Sequence, residues 1–187
     1  MAEFKFIPPS DEELKTVSLM QAQWKEKGHT HEFKDISTLR FLRGHKGDSD
    51  KAVSFMEKHV EWRQEENVND ITIEMFQKEY DSGKAVIFGV DKCSRPVLYV
   101  HARKHNMYDR VADEVKKAII YYLEESVKKS KHDEEQICLV LDMYYFGMSC
   151  MDYEVVKILI SILQCNYPDV LGQAYIVGAP FIFSACW

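Results

Sequence analysis

The pattern of apolar and polar positions changes character near residue 84. Before it, apolar residues recur at helical spacing. Ser10 followed by Glu13 forms a capping box, and Leu14, Val17, Met20 and Trp24 then mark one helix face that Gly28 ends. Asp35 or Ser37 opens a second, short helix carrying Leu39, Phe41 and Leu42. Asp48 caps a third, whose Ala52, Phe55, Met56, His59 and Val60 approach the i, i+3, i+4, i+7 spacing of a buried stripe. A helical, rather charged region is thus expected over residues 1–80, and a second unit over 81–187.

From Lys84 onward the period shortens. Residues 86–90 and 97–100 are rich in Val, Ile and Tyr and predict two strands, joined by a tight turn from Asp91 to Pro96. A long helix is expected from about 109 to 130, with Val111, Val115, Ala118, Ile119, Tyr122 and Ser126 on one face. The continuous apolar run 137–141 reads as a strand covered on both faces. Residues 153–164 form a helix that is apolar most of the way round and should be largely buried. Residues 174–177 read as another buried strand. A hairpin followed by helix, strand, helix and strand gives βαβ alternation, which implies parallel neighbours. The fold class is therefore α/β: an N-terminal helical bundle, then a mixed, mainly parallel sheet with covering helices.

Composition narrows the function. The chain of 187 residues is 46% hydrophobic and 29% charged, enough apolar material for a substantial core. Its 24 basic and 30 acidic residues leave a net charge of −6, which argues against a nucleic-acid partner. The five cysteines are odd in number, show no C-x-x-C spacing and read as reduced, mostly buried thiols in a cytosolic protein. The N-terminus lacks an apolar signal core, and no run reaches the eighteen or so apolar residues of a membrane span. A cytoplasmic protein that meets membranes peripherally and reversibly is expected.

Enzymatic motifs are missing: no phosphate loop, dinucleotide fingerprint or nucleophile elbow occurs. His29 and His31 are two residues apart, but no Cys or carboxylate cluster joins them at ligand spacing, so no metal is expected. His101 and His105 flank Arg103 and Lys104, which reads as a polar edge after a strand or as an anion-binding patch. Asp142 ends a strand, where catalytic carboxylates often sit, yet an Asp bonding the turn toward Gly147 is the better reading. No enzyme, cofactor or metal follows from these residues.

Three segments together resemble the CRAL-TRIO family. Thr38, Leu39, Arg40, Phe41, Leu42 and Arg43, then Asp48, Lys51, Ala52 and a helix through His59 to Trp62 and Arg63, are similar to the family's N-terminal helical motif. Asp91 with Arg95, Pro96 and Val97 resembles its hairpin. Asn166, Tyr167, Pro168 and Asp169, then Leu171, Gly172, Ala174 to Val177, and Ala179, Pro180 and Phe181, resemble its most specific signature. The resemblance implies a deep apolar pocket on the concave face of the sheet, a mobile gate helix, and a lipid ligand. Its members bind phosphatidylinositol, phosphatidylcholine, tocopherol, retinaldehyde and similar molecules, and some relatives are recognition domains in regulators of small GTPases. In that family the apolar run 181–187 leads into the gate helix and a further strand, so the fold is expected to be incomplete at the C-terminus.

The implied function is binding and intermembrane transfer of a phospholipid or other hydrophobic ligand. The alternatives are a non-catalytic protein-interaction module of the small-GTPase regulator type, its partner unknown, or a non-functional fragment of a longer lipid-transfer protein. A carrier needs no catalytic group: exposing a lipid chain to water costs about 0.8 kcal/mol per CH₂, on the order of 25 kcal/mol for two sixteen-carbon chains. Strand parity and helix periodicity select Val100, Tyr122, Leu139, Leu141, Ile158, Ile162, Tyr175 and Val177 as pocket residues. His45, Arg103 and Asp169 are the candidates for headgroup contact. His45 stands where the family's phosphatidylinositol binders carry Arg, Asp169 where they carry Glu, and Ile137 and Leu139 where hydroxyl residues approach the headgroup. These departures favour a less polar ligand.

Overall fold

The computed structural model describes residues 5–131 and 133–179, so the apolar run 181–187 lies outside the described residues. Three helices come first: α1 (Asp11–Glu26), α2 (Asp35–Gly44) and α3 (Ser49–Glu65). The capping box forms as expected, with Glu13 N bonded to Ser10 Oγ at 3.2 Å and Ser10 N to Glu13 Oε2 at 2.8 Å. Arg43 grips the same carboxylate at 2.7 and 3.0 Å, which holds Glu13 down at about 2 and ties α2 to the start of α1. Asp48 caps α3 through Lys51 N. Val17, Met20, Trp24, Phe41, Val53 and Met56 close the core between these helices. Leu14, on the expected face, is instead 43% exposed, and the buried stripe of α1 is Val17, Met20 and Trp24.

The short helix α4 (Gln77–Asp81) leads into β1 (Ala85–Val90) and β2 (Pro96–His101). Asp91 organises their turn, accepting from Cys93 N and Arg95 N and pairing with Arg95 Nε at 2.8 Å. Then follow α5 (Ala112–Lys129), β3 (Ile137–Asp142), α6 (Tyr153–Asn166) and β4 (Leu171–Val177). The sheet order is β1-β2-β3-β4, with β1 antiparallel to β2 and the other pairs parallel.

Three burial expectations are corrected. β4 is an edge strand in the order of the sheet, and it is mostly exposed rather than buried. α6 packs by one side on α5 and α3, while Val156 and Ile160 on its far side are 49% and 46% exposed. Its apolar circumference reflects two tasks, core contact and chamber lining, rather than full burial. β3 is buried on both faces only at its start, at Ile137 and Cys138.

Buried ionic contacts fasten the helices α2 and α3 to the α/β part. Glu135, 4% exposed, accepts from Arg40 Nη2 at 2.6 Å and Ser37 Oγ at 3.0 Å. Glu124 of α5 accepts from Arg63 Nη1 at 2.9 Å and the Tyr167 hydroxyl at 2.6 Å. Beside them His59 Nδ1 lies 3.2 Å from Asn166 Oδ1. Burial pushes the His59 imidazole down from 6.5 to about 4. The unfolded chain therefore binds this proton more readily than the folded one, and stability falls as pH drops from 6.5 toward 4. Linkage gives a loss of about 2 kcal/mol between pH 7 and pH 5 from this group. Urea unfolding at the two pH values should show that extra loss in the wild type and not in His59→Gln.

Candidate functional site

Between the sheet and the helices α5 and α6 lies a chamber of about 420 Å³. Its floor is Leu98 and Val100 of β2, Leu139 and Leu141 of β3, and Ile176 of β4. Val115, Ala118, Ile119 and Tyr122 descend from α5, and Val155, Val156, Leu159 and Leu163 from α6. Nearly all of the exposed wall is hydrocarbon. Burial raises the Tyr122 phenol to about 12, so it stays protonated.

Of the residues expected to line a pocket, Val100, Tyr122, Leu139 and Leu141 lie on the chamber wall. Four do not. Ile158 and Ile162 turn from α6 into the core shared with α5, and Ile162 is fully packed there. The aliphatic wall residues of α6 are instead Val155, Val156, Leu159 and Leu163. A helix apolar on most sides offers no periodic signal to tell the two faces apart. Tyr175 and Val177 miss the wall because of a bulge. Ile137 pairs with Leu171, but Cys138 pairs with Gln173, so Gly172 is an extra residue. Unbroken alternation from Leu171 would send Tyr175 and Val177 inward; the bulge sends Ile176 inward instead. A Cβ at Gly172 would press on the Arg95 and Gln136 side chains, so glycine suits this position.

The headgroup candidates do not converge. His45 ends α2, its Nδ1 2.8 Å from Phe41 O and its ring over Phe55. Asp169 precedes β4 close to Arg43, and its crowded carboxyl is raised above its ordinary range by desolvation despite that neighbour and Arg40. Arg103 follows β2, exposed, with its guanidinium 5.7 Å from the Tyr145 ring centre. Asp169 is at the N-terminal end of the parallel strands and Arg103 at the C-terminal end, one strand length or about 20 Å away.

Of the charged and imidazole side chains that meet the chamber, only His105 was singled out from sequence. They are Glu79, Lys84, His105 and Asp152. Lys84 Nζ lies 2.5 Å from Glu79 Oε2 and 3.0 Å from His105 Nδ1, and His105 Nε2 lies 3.0 Å from Asp152 Oδ2. Arg110 closes the row at 2.6 Å from Asp152 Oδ2 and holds that carboxyl far below the usual carboxylate range. Asp152 Oδ1 accepts from Glu154 N and Val155 N, capping α6. The available signal was Asp152 one residue before a helix, with His105 flagged as a strand edge; nothing in the sequence brought Glu79 and Lys84 to them. Asp142 bonds its own turn at Tyr144 N and receives the Tyr99 hydroxyl at 3.0 Å.

Comparison with known proteins completes the description. Residues 80–187, more than half of the chain, match the CRAL/TRIO domain. The chain belongs to the CRAL/TRIO domain family. A CRAL-TRIO domain-containing protein of Schizosaccharomyces pombe is 34% identical over 158 residues, 80% of this chain and 36% of its own length. The phosphatidylinositol transfer protein CSR1 of Eremothecium gossypii is 30% identical over 168 residues, 83% of this chain and 38% of its own. The chain thus spans little more than a third of these CRAL/TRIO relatives. In fold it is similar to Sfh5, whose crystal structure superposes with a TM-score of 0.70 at 16% identity, covering 96% of this chain and 75% of that one.

Asp152 has two separable roles, cap and counter-ion. Asp152→Asn keeps a capping oxygen and loses the charge, whereas Asp152→Ala loses both. Urea unfolding should find the alanine variant less stable than the asparagine variant by about 1 kcal/mol. Equal stabilities would mean that the cap adds nothing to the ion pairs.

Proposed function

We propose that this chain encloses a hydrophobic ligand, a phospholipid or less polar lipid, and carries it between membranes without transforming it. The observation that supports this most is a 420 Å³ chamber walled by aliphatic side chains in a chain with a net charge of −6. A chamber of that size falls within the roughly 300–1,000 Å³ of small-molecule sites. The names of relatives point the same way: CSR1 of Eremothecium gossypii and PDR17 of Saccharomyces cerevisiae are both phosphatidylinositol transfer proteins.

A carrier must touch membranes, and the exposed apolar side chains suggest where. Tyr108, Tyr145, Met148 and Tyr153 are 70–84% exposed and follow the C-terminal ends of β2 and β3. Parallel strands bring these loops to one rim, and Met107 N bonds Ser149 O across it at 2.8 Å. Tyrosines with apolar bodies and polar tips suit a lipid–water interface, and Arg103 and Lys104 beside them suit anionic headgroups. Among the described residues no helix is long and apolar enough to cross a membrane. Contact at this rim would be peripheral, made from the cytoplasm.

Transfer of a fluorescent phospholipid between vesicles tests the reading. Leu141→Trp should lower lipid binding by about tenfold or more, since overfilling a packed site costs about 1–3 kcal/mol. Tyr175→Trp, on the opposite face of the sheet, should leave both binding and transfer unchanged. Equal behaviour of the two variants would count against the chamber as the site.

A further inference from the structure

The chamber's polar end has unused hydrogen-bonding capacity, and its arrangement selects a ligand chemistry. On the carrier reading above, this end is where a ligand's polar group sits. Asp152 is saturated, with Arg110 and His105 on its Oδ2 and two backbone N–H groups on Oδ1. Both nitrogens of His105 are engaged, one by Lys84 and one by Asp152. Lys84 is not saturated. An ammonium has three N–H donors, and Glu79 Oε2 and His105 Nδ1 take two of them. The remaining N–H has no partner among the described residues, and neither has Glu79 Oε1. Both side chains stand in the chamber wall, and Glu79 is only 7% exposed. A cationic donor and an anionic acceptor therefore lie side by side at one end of an otherwise hydrocarbon space.

We propose that the ligand enters with a hydroxyl at this end, accepting from Lys84 Nζ and donating to Glu79 Oε1. A carboxylate or phosphate has no proton to donate and would confront the Glu79 charge. A ketone or aldehyde would leave Glu79 unpaired. An amine would meet Lys84 with like charge. A hydroxyl is a compact neutral group that satisfies both partners at once. A ligand hydroxyl that makes both bonds replaces solvent there without leaving either partner unpaired. Hydrogen bonds to charged groups are among the stronger ones, so the alcohol gains over the matched alkane by about tenfold or more in affinity.

The test is displacement of diphenylhexatriene fluorescence from the full chain by decane, 1-decanol, decanoate and phosphatidylinositol. Decanol should displace at about tenfold lower concentration than decane or decanoate. In the double variant Glu79→Leu with Lys84→Met, decanol should fall to the level of decane while decane is unchanged. Glu79→Gln, isosteric and uncharged, should raise decanoate toward decanol; this variant decides the matter if the double variant does not fold. Phosphatidylinositol carries hydroxyls on its headgroup. If its displacement also weakens in the double variant, the headgroup supplies the hydroxyl; if only decanol weakens, a compact alcohol does. Equal displacement by decane and decanol overturns the hydroxyl site and leaves the carrier intact. No uptake of diphenylhexatriene overturns both.

Discussion

Everything in this fold depends on keeping apart two layers that the hydrophobic effect would otherwise press together. The sheet and the helices α5 and α6 face each other with Leu, Val and Ile side chains, and a chamber of about 420 Å³ remains between them. The chamber is partly open, and its hydrocarbon walls forgo contacts that a close-packed core would make with itself. An occupant therefore belongs to the energetics of the fold as well as to its function. A ligand that fills the chamber restores contacts that an ordinary core would make with itself.

Directional polar contacts fix how the elements around the chamber are placed. Glu135 with Arg40 and Ser37, and Glu124 with Arg63 and Tyr167, pin α2 and α3 against the α/β part. Lys84, His105, Asp152 and Arg110 hold the strand ends and the start of α6 at a set separation. Buried ionic contacts of this kind add little net stability compared with apolar packing, but breaking one partner is costly. Their geometry is directional where hydrocarbon contact is not. The chamber thus has non-directional walls and directional corners, and the corner at Lys84 and Glu79 is where ligand polarity is read.

Much of this was legible in the chain. The capping box at Ser10, the Asp48 cap, the Asp91 hairpin and the βαβ alternation are local signals, and each formed where its residues predicted. The sheet wall was half legible: Leu139 and Leu141 follow from strand parity, but parity fails across the Gly172 bulge, which a single glycine marks only weakly. The face of α6 was not legible, because Val155, Ile158, Leu159 and Ile162 are chemically alike and only tertiary packing separates wall from core. The polar corner was the least accessible. Glu79 and Lys84 meet His105 and Asp152 only because the antiparallel β1 starts beside the end of β2, with His101 N bonded to Lys84 O at 2.7 Å. That proximity is a product of topology, and no spacing along the sequence records it.

The central claim is that the chamber exists to be filled. The most direct measurement is mass spectrometry of the purified chain from eukaryotic cells, under native conditions and after organic extraction. The account predicts one lipid molecule per chain, retained in the native spectrum and released into solvent. A folded, monomeric chain that is empty in both would contradict it.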